Sequence, residues 1–180
     1  EPSAVIATHL TEVIKSNSAD LLGRQEVKQL LDNIKEKYPA VIEELTPAIM
    51  SIGGIQKVLQ NLLRERVSIR DLVTILEALA DYGPLVKNFD QLTELVRQSL
   101  GQSISRQFSD SENRMYVITM DPKLEEVVQS SIETRETGDV LTLDPNLVQL
   151  MIKSLTEEVE KAVAKHEQAI FLCSSSIRPH

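Results

Sequence analysis

From Val5 to Leu100 the apolar residues recur at spacings of three and four, a rhythm that fits helices and excludes an alternating strand. Val5, Ile6, Leu10, Val13 and Ile14 share one helical face, until Ser16-Asn17-Ser18 breaks the pattern. Leu21, Leu22, Val27, Leu30, Leu31 and Ile34 carry the next, up to Tyr38-Pro39. There the proline removes a donor and restricts its predecessor. A short third helix is expected over 40–45, and Gly53-Gly54 is read as punctuation before the stripe Ile55, Val58, Leu59, Leu62 and Leu63. Ser68 is placed to cap a helix bearing Leu72, Val73, Ile75, Leu76 and Leu79, with Asp71 adding negative charge to its first turn. Gly83-Pro84 closes that helix, and Asp90 is read as the cap of one carrying Leu92, Leu95, Val96 and Leu100.

The pattern then changes. Gly101 to Asn113 is polar and reads as a linker. Met115 to Met120 is a short β-like run that ends in Asp121-Pro122, where Asp can cap and Pro can occupy the first helical position. The helix that follows carries Leu124, Val127, Val128 and Ile132, and 134–139 reads as a loop. Val140 to Leu143 leads into a second Asp-Pro at 144–145 and a long helix to about His166, with Leu147, Leu150, Met151, Leu155, Val159 and Val163 inward. Ala169 to Cys173 is a further strand. Strand, helix, helix, strand predicts a small α/β unit with a parallel pair. The fold class expected is therefore mainly α: a helical subdomain followed by a small α/β subdomain. Because a parallel sheet needs both faces covered, so sparse a strand pair reads as C-terminally incomplete.

Composition narrows the function. Aromatic residues are 3% of the 180, with no Trp, so the core must be Leu, Ile and Val, and no base-stacking platform is available for single-stranded nucleic acid. A net charge of −8 repels phosphate backbones and anionic lipid. No apolar run approaches the roughly 18 residues of a membrane helix. The single cysteine, Cys173, cannot form an internal disulfide.

Candidate chemistry is sparse. His9, His166 and His180 lie too far apart in sequence for a helical metal pair, and solvated or half-buried imidazoles explain them. Cys173, weighed as a nucleophile with His166 or His180, sits after an apolar strand and reads better as a small core residue. Glu43-Glu44, Glu125-Glu126 and Glu157, Glu158 and Glu160 read as solvated helix faces, the last group paired locally with Lys161. Gly53-Gly54 lacks the Lys-Ser/Thr ending of a phosphate loop. No catalytic group, metal site or cofactor site is expected. Residues 64–68 join two helices with the spacing of a helix-turn-helix, so a DNA-binding regulator is the alternative reading. Its second helix offers Arg70 beside Asp71, then Glu77 and Asp81, a poor face for bases.

Residues 55–65 (IQKVLQNLLRE) and 67–77 (VSIRDLVTILE) resemble the third cytoplasmic subdomain of the FHIPEP family of type III export-gate proteins, above all its flagellar members. Residues 1–10 (EPSAVIATHL), 22–32 (LGRQEVKQLLD) and 96–107 (VRQSLGQSISRQ) agree in order and spacing. The resemblance implies that 1–21 end a first cytoplasmic subdomain, 22–101 form the helical third, 102–113 link, and 114–180 belong to an α/β fourth whose last helix and strand lie outside this sequence. It also implies a polytopic inner-membrane half elsewhere, so that this part lies at the cytoplasmic face of the bacterial inner membrane. It implies a ring, a nonamer in the family, that receives late export substrates with their flagellar chaperones, meets components of the export ATPase complex and orders export. The family's chaperone-docking cleft maps here onto Val5 and Thr8. Read without the resemblance, Val5 is a core residue and Thr8 a threonine bonding its own backbone.

Overall fold

The aliphatic stripes read from the sequence converge on one core. The computed structural model describes residues 2–135, 138–165 and 167–180, and the chain divides into two units, Glu1–Gln107 and Phe108–His180. The first runs α1 (Pro2–Ser16), α2 (Ser18–Leu21), α3 (Arg24–Lys35), α4 (Pro39–Glu44), a wide helical turn over Leu45–Ile49, α5 (Ile52–Arg64), α6 (Leu72–Tyr82), α7 (Phe89–Ser99) and α8 (Gly101–Phe108). Helix α5 is its centre, packed against α2, α3 and α7. Ile55, Val58, Leu59 and Leu62 on α5 are fully buried, as are Ile75, Leu76 and Leu79 on α6 and Val27 on α3. Burying each such side chain stabilises the fold by about 1.5–3 kcal/mol.

Polar contacts set the register of these helices. Asn61 on α5 donates to Asp90 Oδ1 and Thr93 Oγ1 on α7, each at 3.2 Å, and Arg97 Nη1 meets Glu65 Oε2 at 2.9 Å. Where α5 ends, Arg66 turns left-handed at φ 58. Its N–H donates to Leu63 O and that of Val67 to Leu62 O, so two terminal carbonyls are satisfied while Val67 buries beneath them.

The local signals depart from expectation at four places in this unit. Gly53-Gly54 does not punctuate: both lie in the first turn of α5, which Ser51 caps by accepting from Gly54 N at 3.2 Å. Gly54 is needed because a Cβ there would sit 2.7 Å from Met50 Cγ. Ser68 does not cap α6; its hydroxyl accepts from Arg70 N within the loop, since the left-handed exit from α5 delays the next helix to Leu72. Asn88 rather than Asp90 caps α7, accepting from Asp90 N and Gln91 N, and Asp90 supplies charge to the first turn. Gly101–Phe108, expected within the linker, is helical. Its polar composition hid a single stripe in which Ile104, four residues after buried Leu100, packs on the core.

The second unit holds β1 (Ile118–Thr119), α9 (Pro122–Ser130), β2 (Ile132–Arg135), β3 (Gly138–Leu141), α10 (Pro145–Ala164) and β4 (Phe171–Leu172). β1 and β4 pair in parallel, Ile118 with Phe171 and Thr119 with Leu172, as expected, though each strand is two residues long. Both Asp-Pro signals act as read: Asp121 accepts from Lys123 N, and Asp144 from Asn146 N and Leu147 N. Of segment 134–139, expected as a loop, residues 134, 135, 138 and 139 instead belong to an antiparallel pair in which Ile132 faces Leu141, and 136–137 lie outside the described residues. Ile132 therefore leaves the helix and begins a strand, and Thr142 N extends the ladder to Ser131 O. Of the α10 residues expected inward, Leu147, Met151 and Val159 are half-buried, whereas Leu150, Leu155 and Val163 are exposed. A two-stranded pair and a nine-residue helix offer too little surface to cover a helix of 20 residues.

Between α8 and β1 the chain folds onto Asp110. Its Oδ1 accepts from Glu112 N at 2.8 Å and Arg114 N at 2.9 Å, and its Oδ2 from Arg114 Nε at 3.1 Å. The Arg114 amide, aided by that of Glu112 and the guanidinium, holds this carboxyl below the usual carboxylate range. A depressed pKa gives the turn stability that is present above the unfolded value and lost as pH falls through the folded one. Amide exchange at Glu112 and Arg114 should therefore accelerate on acidification beyond the intrinsic pH trend, and Asp110→Asn should lose that response. In the first unit, Leu59→Ala should cost about 2–5 kcal/mol in urea unfolding. Arg66→Gly, which relieves a left-handed arginine, should leave urea unfolding unchanged or raise stability by up to about 1 kcal/mol.

Candidate partner-docking site

Helix α1 is the outlier of the first unit. All of residues 3–17 are exposed, including Val5 at 69% and Ile6 at 67%. At about 100° per residue, Val5, Ile6, Leu10, Val13 and Ile14 spread over roughly half the circumference, more than one packing face requires. Thr11 donates its hydroxyl to Ala7 O at 2.8 Å and Asn17 its amide to Val13 O at 2.7 Å, so local polar groups close the helix on itself.

Val5 and Thr8 come together here. With Ala4, His9 and Glu12 they line a shallow, open depression along one side of α1. Val5 is thus not a core residue of this unit: nothing in it covers the position. Glu12 ends the depression and is paired at its exposed rim with Lys15 at 3.2 Å and Arg66 at 3.8 Å, contacts worth little in solvent. An apolar floor with one hydroxyl and one anionic end suits a peptide or helix surface rather than a small reactive substrate. Ile6, Leu10, Val13 and Ile14, expected to share one helical face with Val5, are all exposed within this chain.

Among the described residues the other candidates do not assemble into a site. Cys173 is half-buried just after β4, and His166, its suggested partner, lies outside the described residues. Glu158 pairs with Lys161 at 2.7 Å; that carboxylate's hydrogen bond and charge raise the lysine's pKa. Glu43 faces Lys35 at 3.8 Å. Among the described residues no three His, Cys, Asp or Glu side chains gather as a metal site would require. At the helix-turn-helix-like joint, Leu72 is buried and Glu77 and Asp81 are exposed on α6, which leaves that helix an acidic outer surface.

A profile of the FHIPEP family matches residues 1–180. The chain belongs to the FHIPEP family. It is 44% identical over 178 residues to the flagellar biosynthesis protein FlhA of Bacillus subtilis, covering 99% of this chain and 26% of that protein. To FlhA of Escherichia coli it is 34% identical over 179 residues, covering 99% of this chain and 25% of that protein. The chain thus spans about a quarter of the length of these curated relatives. Among solved structures, Shigella flexneri MxiA superposes with a TM-score of 0.81 at 28% identity, covering 94% of this chain and 55% of that one. CdsV in the Chlamydia pneumoniae CdsV–CdsO complex gives 0.80 at 33% identity, covering 87% and 46%. The cryo-EM structure of nonameric EPEC SctV-C gives 0.79 at 25% identity, covering 96% and 58%. The mainly helical fold with a small α/β unit is the one these family members share. Among the described residues no helix is long and apolar enough to cross a membrane.

If the α1 depression is free surface, truncating it should leave the fold untouched. Val5→Ala and Thr8→Ala should each shift urea unfolding by no more than about 0.5 kcal/mol, in contrast to the large loss at buried Leu59.

Proposed function

We propose that this chain is a cytoplasmic part of a flagellar protein-export gate, held at the inner face of the bacterial inner membrane by a membrane half outside this sequence. It acts by docking and ordering export cargo, without catalysis. The observation that carries this reading is the family match over the whole chain and its 44% identity over 178 residues to a flagellar FlhA; Val5 and Thr8 are exposed within this chain. Late substrates arrive with their flagellar chaperones, and an apolar chaperone surface covers the α1 arc. Each aliphatic side chain so buried contributes about 1.5–3 kcal/mol before the costs of association. Self-association into a ring is supported by the nonameric relative and binding of a protein partner by the relative solved in a complex; components of the export ATPase complex are the partners proposed.

The alternative, a DNA-binding regulator, finds less support: α6 turns acidic residues outward, and the net charge is −8.

Calorimetric titration of a flagellar chaperone–cargo complex tests the proposal. It should be run against this chain and against the whole cytoplasmic region that contains it. Binding by the whole region, weakened about tenfold or more by Thr8→Ala, a loss of about 1.4 kcal/mol, is the expected result. No binding by either protein, together with a salt-sensitive DNA shift, would favour the regulator.

A further inference from the structure

Helices α1 and α2 form a rod interrupted at Asn17, whose φ of −108° and ψ of 10° are not helical. Asn17 N donates to Val13 O, and Leu21 N to Asn17 O, across the single residue that separates them. The rod ends at Leu22, and α3 begins after Gly23. A helix end leaves its last carbonyls without partners. Ala19 O accepts from Leu22 N at 3.3 Å, and further donors come from another helix, more than 30 residues away. Gln56 Nε2 on α5 donates to Leu22 O at 2.9 Å. Gln60 Nε2, one turn further along α5, donates to Ala19 O at 3.1 Å and Leu22 O at 3.0 Å. Both glutamines are half-buried, while Ala19 and Leu22 are buried beside them.

We propose that Gln56 and Gln60 form a latch that fixes the direction of α1. Since no residue of 3–17 is buried within this chain, α1 takes its orientation here from α2, supplemented by the exposed Glu12–Arg66 pair. α2 is a single turn of four residues, too short to hold a position by itself. It is seated on α5 with Ala19 and Leu22 buried, Leu22 as part of the core, and by three directional hydrogen bonds. The apolar contacts resist separation but tolerate rotation; the hydrogen bonds resist rotation. Release of the latch leaves Leu22-Gly23 as the pivot, because the core beyond it is closed. The two glutamines are positioning residues: they touch no partner, and through α2 they aim the surface that carries Val5 and Thr8. The consequence for docking rests on the function proposed above; the latch does not.

The test needs no partner and so fails independently of the docking reading. Nitroxide labels on His9→Cys and Lys57→Cys, in a Cys173→Ser background, report the α1–α5 distance by pulsed electron resonance on the full 180-residue chain. The parent should give one narrow distribution. Q56M/Q60M, which keeps side-chain length and removes the donors, should broaden it at least twofold while amide exchange in α6 and α7 stays slow. Q56M/Q60K should narrow it again, since an ammonium restores donors at a helix C-terminus. Should Q56M/Q60M unfold, Q60E, which sets a carboxylate against two carbonyl oxygens, must give the same broadening. A distribution as narrow as the parent's in the donor-free variant, or a broadening that lysine fails to reverse, would overturn the latch.

Discussion

Everything in the helical unit hangs on the stripe Ile55, Val58, Leu59 and Leu62. These four side chains lie on one face of α5 and are completely buried, and α2, α3 and α7 are placed by packing on α5. With almost no aromatic volume available, the core must be close-packed from branched aliphatics, which tolerate little loss of volume. Hydrophobic burial is not directional, so register comes from elsewhere. Asn61 reaches α7, Glu65 meets Arg97, and Gln56 and Gln60 reach α2. One helix thus supplies an apolar face for cohesion and a polar flank for alignment.

The contrast with α1 follows from the same physics. α1 has the composition of a packed helix and is uncovered within this chain, which spans about a quarter of the length of its curated relatives. A large exposed apolar surface usually marks an interface, and the family to which the chain belongs is one whose solved members include a protein complex and a nonamer. The α/β unit shows a milder form of the same condition. Leu150, Phe171 and Leu172 are exposed, and Val128 and Ile177 are the buried apolar residues described there.

How legible this was in the sequence depended on the range of the interaction. Periodicity found the helices of the first unit because burial on one face imprints a spacing of three and four. Both Asp-Pro caps and the parallel pair were legible for similarly local reasons: a side chain bonding an amide two residues on, and two apolar runs of matching length. Errors arose where two local signals competed or a distant partner decided. Ser68 and Asp90 are both good capping residues, but the left-handed exit at Arg66 and the better-placed Asn88 settled which amides were capped. Gly53-Gly54 looked like a break because nothing local reveals that Met50 closes over Gly54. The α8 stripe was diluted by polar residues. For the site, Val5 and Thr8 were reached through a family resemblance. The periodicity itself pointed inward, since a helix awaiting a partner and a helix packed in a core write the same pattern. Gln56 and Gln60 carried no signal at all, because their acceptors are backbone carbonyls more than 30 residues away.

The central proposal is that α1, exposed in this chain, takes part in docking beside the α5-centred scaffold. Hydrogen exchange on the whole cytoplasmic region, with and without a chaperone–cargo complex, addresses it most directly. The account predicts new protection concentrated in α1, around Val5 to Glu12, with α5, α6 and α7 unchanged because they are already closed. Protection that appears elsewhere and leaves α1 as it was would contradict it.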